Sequence, residues 1–91
     1  QASVIKIENA DKPYVVLINP ASREGRRCGT VRLSEDDGET FKYSRVLKED
    51  EFVYSAMTQM PDGNIGVLFE PDLECQKIQF TKFSLDWIKG I

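Results

Sequence analysis

The sequence predicts an all-β protein of short antiparallel strands, and three observations carry that expectation. Apolar or alternating runs recur along the chain, turn-forming residues punctuate them, and no stretch sustains the period of an amphipathic helix. At 91 residues the chain amounts to one small domain or less. A domain of this length buries only about 60 to 65% of the surface its unfolded chain exposes, so its core is thin and every open sheet edge matters.

The elements follow in order. Val4 to Ile7 alternates apolar and polar residues, and Tyr14 to Ile18 reads YVVLI, the nearly continuous apolar run of a strand covered on both faces. Between them and the next strand, Asn19 to Cys28 reads NPASREGRRC. Its Pro20 and Gly25 oppose regular structure, so a long polar loop is expected. Gly29 to Leu33 and Phe41 to Leu47 are strands joined through the tight turn Glu35-Asp36-Asp37-Gly38. The acidic run Lys48 to Glu51 is expected as a solvated connection. Tyr54 to Met60 and Asn64 to Glu70 form a hairpin about Pro61-Asp62-Gly63-Asn64, where proline fixes φ, aspartate supplies a side-chain acceptor and glycine tolerates positive φ. The VLF run at Val67 to Phe69 again predicts cover on both faces. Lys77 to Phe83 is the last strand, and Ser84 to Ile88 is a helical turn capped by Ser84, with Phe83 and Trp87 anchoring the tail.

Composition excludes several functions. Twelve basic and fifteen acidic side chains leave a net charge of −3, which gives no electrostatic reason to bind nucleic acid or an anionic membrane. No apolar run approaches the ~20 residues that span a bilayer, and the first residues lack the basic-then-apolar order of a signal peptide. A start at Gln1 with an immediate strand suggests a processed or excised segment. There is no histidine and no CxxC pair, so no metal site and no cofactor is expected. Cys28 and Cys75 form one disulfide or remain two thiols. Asp36 and Asp37 belong to a turn, and Glu49, Asp50 and Glu51 to a solvated run, rather than to an acid/base pair. The EDDGET stretch lacks the alternating acids and later glutamate of a calcium loop.

Ser34-Glu35-Asp36-Asp37-Gly38-Glu39-Thr40-Phe41 resembles the Asp-box, S-x-D-x-G-x-T-W, with phenylalanine in place of tryptophan. Asp36 is expected to accept hydrogen bonds within the turn, Gly38 to take positive φ, and Phe41 to pack under the loop. Further on, Phe52-Val53-Tyr54-Ser55 through the 61–64 turn to Val67-Leu68-Phe69-Glu70 resembles a stretch of the bacterial-type sialidases (neuraminidases). In that family a YS dipeptide carries the tyrosine nucleophile, and a hairpin and an apolar strand ending in glutamate follow it. The resemblance runs from Gly25 onward and implies the C-terminal portion of a six-bladed β-propeller with antiparallel four-stranded blades. Residues 1–50 would be one blade, its Asp-box at 34–41 joining the third and fourth strands. Residues 51–91 would be most of the last blade, completed by a strand from elsewhere in the propeller.

What the resemblance implies is exo-α-sialidase chemistry, the release of terminal sialic acids from sialylated glycans with retention, or an intramolecular trans-sialidase with the same residues. Tyr54 is the implied nucleophile. Sialic acid carries a carboxylate on the carbon that reacts, so a carboxylate nucleophile would meet like charge there, whereas a phenol is neutral until it attacks. With an ordinary pKa of about 10, a phenol needs a base, and nothing here matches the family's. Arg26 stands 54 − 26 = 28 residues before Tyr54 and resembles the third arginine of the carboxylate clamp, with Arg27 and Arg23 as fallbacks. A guanidinium suits that role because its fork meets both carboxylate oxygens. Glu70 resembles the glutamate that orients the first arginine. The acid/base aspartate and the first two arginines have no counterpart, so the segment alone should be inactive and the rest of the propeller is its implied partner. The resemblance also implies a secreted or cell-surface protein. The rival reading is a non-catalytic Asp-box β module that binds a glycan or a protein.

Overall fold

A computed structural model describes residues 2–22, 25–71 and 77–91, with the backbone alone for 21–22 and 25–27. The described residues form β1 (Ser3–Lys6), β2 (Val15–Ser22), β3 (Gly25–Ser34), β4 (Tyr43–Glu51), β5 (Ser55–Gln59), β6 (Ile65–Phe69) and β7 (Gln79–Phe83), followed by the short helix α1 (Leu85–Lys89). Strands β1-β2-β3-β4 make one antiparallel meander, and β5-β6-β7 make a second. Every pairing joins neighbours in sequence, which is the topology that short turns between alternating runs dictate.

Two expectations of irregular chain are corrected. The described residues of the Asn19 to Cys28 stretch are strand rather than loop: β2 continues to Ser22 and β3 begins at Gly25, with Asn19 opposite Thr30, Pro20 opposite Gly29 and Ser22 opposite Gly25. Pro20 is accommodated because the register shifts between it and Ser22, where a missing N–H costs the ladder little. The Lys48 to Glu51 run is likewise part of β4, with Lys48 opposite Gly29 and Glu51 opposite Arg27. Register shifts flank Gly29 on that side too, and Cys28 takes φ 58 beside it. Ladder hydrogen bonds to a partner strand hold these polar residues extended while the Glu49 and Asp50 side chains stand in solvent, so polarity alone misread both segments.

The core lies between the sheets. Val16 and Ile18 of β2 and Val31 and Leu33 of β3 are fully buried, and they join one cluster with Ile65, Val67 and Phe69 of β6. On β6, Ile65, Val67 and Phe69 face the core, and on the other face Gly66 is buried while Leu68 is half exposed, so the expected cover on both faces is only partial. Phe52, between the sheets in sequence, is fully buried and stacks on Phe69 with ring centroids 5.0 Å apart.

The C-terminal helix carries the Ser84 cap that the sequence predicts and a C-terminal glycine cap that it did not announce. Ser84 accepts a hydrogen bond from Trp87 N at 3.0 Å, and Gly90 closes the helix at φ 81. Trp87 meets Phe83 at 5.4 Å and lies under the Arg45 guanidinium at 4.5 Å, and Arg45 also donates to Trp87 O at 2.7 Å. The tail is thereby tied to β4. At the same end, Glu8 and Gln59 exchange hydrogen bonds: Glu8 N donates to Gln59 Oε1 at 2.8 Å and Gln59 Nε2 to Glu8 O at 3.0 Å, which joins the two sheets.

Candidate functional site

The strand directions sort the molecule into two ends. At one end lie the turn between β3 and β4, the 60–64 hairpin turn and α1. At the other lie the start of β3, the end of β4, the start of β5 and the end of β6. The motif residues divide between them.

The Asp-box occupies the first end, on the connection from β3 to β4. Ser34 is fully buried beneath the turn. Its Oγ donates to Asp36 Oδ1 at 2.7 Å and accepts from Gly38 N at 2.8 Å and Asp36 N at 3.2 Å. Asp36 in turn accepts from Thr40 Oγ1 at 2.5 Å and from Thr40 N at 2.8 Å. These donors, the Thr40 hydroxyl first, then the Thr40 N–H and the Ser34 hydroxyl, hold the Asp36 carboxyl down at about 2. Gly38 takes φ 91 and Asp37 φ 64. Phe41, the residue expected under the loop, is 36% exposed, while Ser34 is fully buried beneath the turn. The arrangement is a self-contained brace, and it brings no reactive group near the other end.

Tyr54 and Glu70 come together at the second end. Tyr54 stands just before β5 and is 55% exposed, and Glu70 stands just after β6. Ser55 pairs with Phe69, and the register continues: Glu70 N donates to Tyr54 O at 3.0 Å and Val53 N donates to Glu70 O at 3.1 Å. Two residues, Val53 and Tyr54, thus oppose one, Glu70, the arrangement of a β-bulge, which bends a strand and re-aims its side chains. A groove of about 310 Å³ runs beside them, lined by Tyr54, Ser55, Glu70, Ala56, Leu68, Phe69 and Ile78. Within it the Glu70 Oε1 and Ser55 Oγ are buried with no hydrogen-bond partner among the described residues, as is Asn19 Oδ1 on β2. Leaving a buried polar oxygen without a hydrogen-bond partner is costly, which sets these atoms apart from the satisfied polar groups of the Asp-box. A larger groove of about 480 Å³, between Glu8, Asn9 and the 59–63 turn, lies at the opposite end and contains none of the candidate residues.

Arg26 is the second residue of β3, which places its backbone at the Tyr54 end. Its side chain and that of Arg27 lie outside the described residues, as do Arg23 and Cys75 altogether. The link between the two segments is visible nearby. Gly29 faces Phe52 so closely that a Cβ at Gly29 would stand 2.5 Å from the ring. Cys28 Sγ donates to Glu49 O at 3.4 Å. Ser55 and Lys48 are the residues that sequence reasoning passed over here. Ser55 was visible only as the second half of the YS dipeptide, and Lys48 as one charge in a polar run.

Over most of its length the chain is homologous to bacterial and fungal sialidases. The sialidase of Micromonospora viridifaciens is 41% identical across 91% of this chain, which corresponds to 12% of that protein. Among solved structures, the NanB sialidase of Streptococcus pneumoniae matches 97% of this chain and 16% of its own with a TM-score of 0.80 and 31% identity. A leech intramolecular trans-sialidase complexed with 2,7-anhydro-Neu5Ac matches 99% of this chain and 16% of its own, with a TM-score of 0.81 and 26% identity. The two antiparallel sheets are those of sialidase β-propellers, although two sheets close no ring. The chain spans 12% to 26% of the length of the curated relatives it matches first. No protein-family model matches it.

Proposed function

We propose, from a chain homologous to sialidases over most of its length, that it supplies the nucleophile wall of an exo-α-sialidase and works as part of a larger propeller. The four-stranded and three-stranded sheets are then one blade and most of another, and sialylated glycans are the substrates. The observation that carries the reading is the pairing of Tyr54 with Glu70 across a bulge, the tyrosine open to solvent and the carboxylate holding a buried oxygen in want of a donor.

In this reading the Tyr54 phenol oxygen attacks the anomeric carbon of a bound sialic acid as the glycosidic bond breaks. The leaving oxygen takes a proton from an acid, and the phenol loses its own to a base, both contributed by other blades. Water then releases the sugar with its configuration retained. Arg26 grips the sugar's carboxylate with a guanidinium fork. Glu70 accepts from an arginine of another blade, which satisfies its Oε1 and fixes that arginine for the same carboxylate. Such an enzyme meets its glycans outside the cell or at its surface.

The test is Tyr54→Phe in the full-length protein, assayed on sialosides. Turnover should fall by orders of magnitude with the fold retained, and a wild-type rate removes the assignment. Product analysis then separates free sialic acid from the 2,7-anhydro form that the leech neighbour's complex contains. Glycan or protein binding without turnover in the wild-type protein would favour a non-catalytic Asp-box module.

A further inference from the structure

We propose that Lys48 is the positioning residue for the Tyr54–Glu70 pair. The inference rests on the reading of Tyr54 as nucleophile. Lys48 sits near the end of β4, and its side chain is only 23% exposed. Its ammonium has three partners: the Asp50 carboxylate, Glu51 O at 2.8 Å and Pro71 O at 3.2 Å. The two carbonyls belong to different sheets' ends. Glu51 closes β4, three residues before Tyr54, and Pro71 follows Glu70 directly. Between them the backbone is zipped by the Val53–Glu70 and Glu70–Tyr54 hydrogen bonds. Lys48 therefore fastens both ends of the strip that carries the two candidate residues.

The residue type fits the task. Carbonyls at strand ends have run out of ladder partners and need donors. An ammonium is a compact charge with three donors on a flexible stem, so it can gather two carbonyls and a carboxylate that approach from different directions. The Asp50 carboxylate balances its charge, and hydrogen bonds from a charged donor are about twice as strong as neutral ones. Lys48 touches no substrate in this account; it acts through the backbone it holds, and a displacement of about 1 Å at a reacting group costs on the order of 100-fold in rate.

Lys48→Met keeps the stem and removes the donors. In the full-length protein it should lower kcat by roughly tenfold to 100-fold and raise KM by less, because the nucleophile is misplaced while Arg26 on β3 still grips the carboxylate and only the arginine that Glu70 orients is loosened. The rate at which a mechanism-based fluorosialosyl inactivator labels Tyr54 should fall by the same factor, a readout that simple loss of stability does not move. Lys48→Arg should recover part of kcat. Unchanged kcat and labelling per folded molecule in Lys48→Met overturns the proposal. If that variant does not fold, Lys48→Gln decides by the same two rates. Tyr54→Phe is run beside it: full activity there removes the nucleophile reading itself, whereas an inactive Tyr54→Phe with a wild-type-like Lys48 variant removes only the role of Lys48.

Discussion

Asp36 shows how much one side chain can organise. Its carboxylate accepts from both the hydroxyl and the N–H of Thr40 and from Ser34, and these bonds favour the charged form in the folded state, where its pKa stands at about 2 against an ordinary 3.8. A lowered folded pKa contributes stability that is fully present above the unfolded value and is lost as pH falls through the folded one. The brace should therefore hold at neutral pH and fail across the window from about 4 down to about 2. Asp36→Asn removes the titration. The expected result is a melting-temperature gap between wild type and variant that is wide at about pH 6 and narrows at about pH 2.5. A gap of constant width across that range would show that the carboxylate's charge does not hold the turn.

At the scale of elements, the contact of Gly29 with Phe52 joins the two sheets at the candidate end. The Phe52 ring is fully buried, stacked on Phe69, and lies where a Gly29 Cβ would stand, at 2.5 Å. Gly29→Ala forces the ring or the strand to move, an overpacking cost of about 1 to 3 kcal/mol. It should lower the melting temperature, and Phe52→Leu in the same chain should recover part of the loss, since neighbouring sites do not add independently. Additive losses would mean the ring is not what excludes the methyl. The same region marks the limit of what the sequence discloses. The runs at Tyr14 to Ile18 and at Tyr54 to Met60 and the 61–64 turn announce themselves, because apolar patterning and turn chemistry are local. The extended states of Asn19 to Ser22 and Lys48 to Glu51 are set by partners across the ladder, so a window that sees only polar residues, Pro20 and Gly25 reads loop. Tyr54 and Glu70 were legible as motif residues. The bulge that opposes them and the lysine that fastens their strip were not, since both depend on backbone carbonyls that every residue possesses.

For the whole molecule, the decisive feature is what the two sheets leave bare. Leu68 and Phe80 are half exposed on the β5-β6-β7 sheet, Ile78 is 74% exposed beside them, and Val46 is 45% exposed on β4. Apolar area of this kind, next to open strand edges in a chain with a thin core, promotes association. The Glu70 and Ser55 acceptors likewise wait for donors that no described residue supplies. Both facts point the same way: expressed alone, the 91-residue chain should self-associate or melt well below the full-length protein, and it should hydrolyse no sialoside, because one candidate arginine and one nucleophile without base or acid do not make a site. Light scattering, a thermal melt and a sialoside assay on the isolated chain check this together. A monodisperse, cooperatively melting and active chain would mean that these two sheets are a complete catalytic unit, and the dependence on further blades would have to be abandoned.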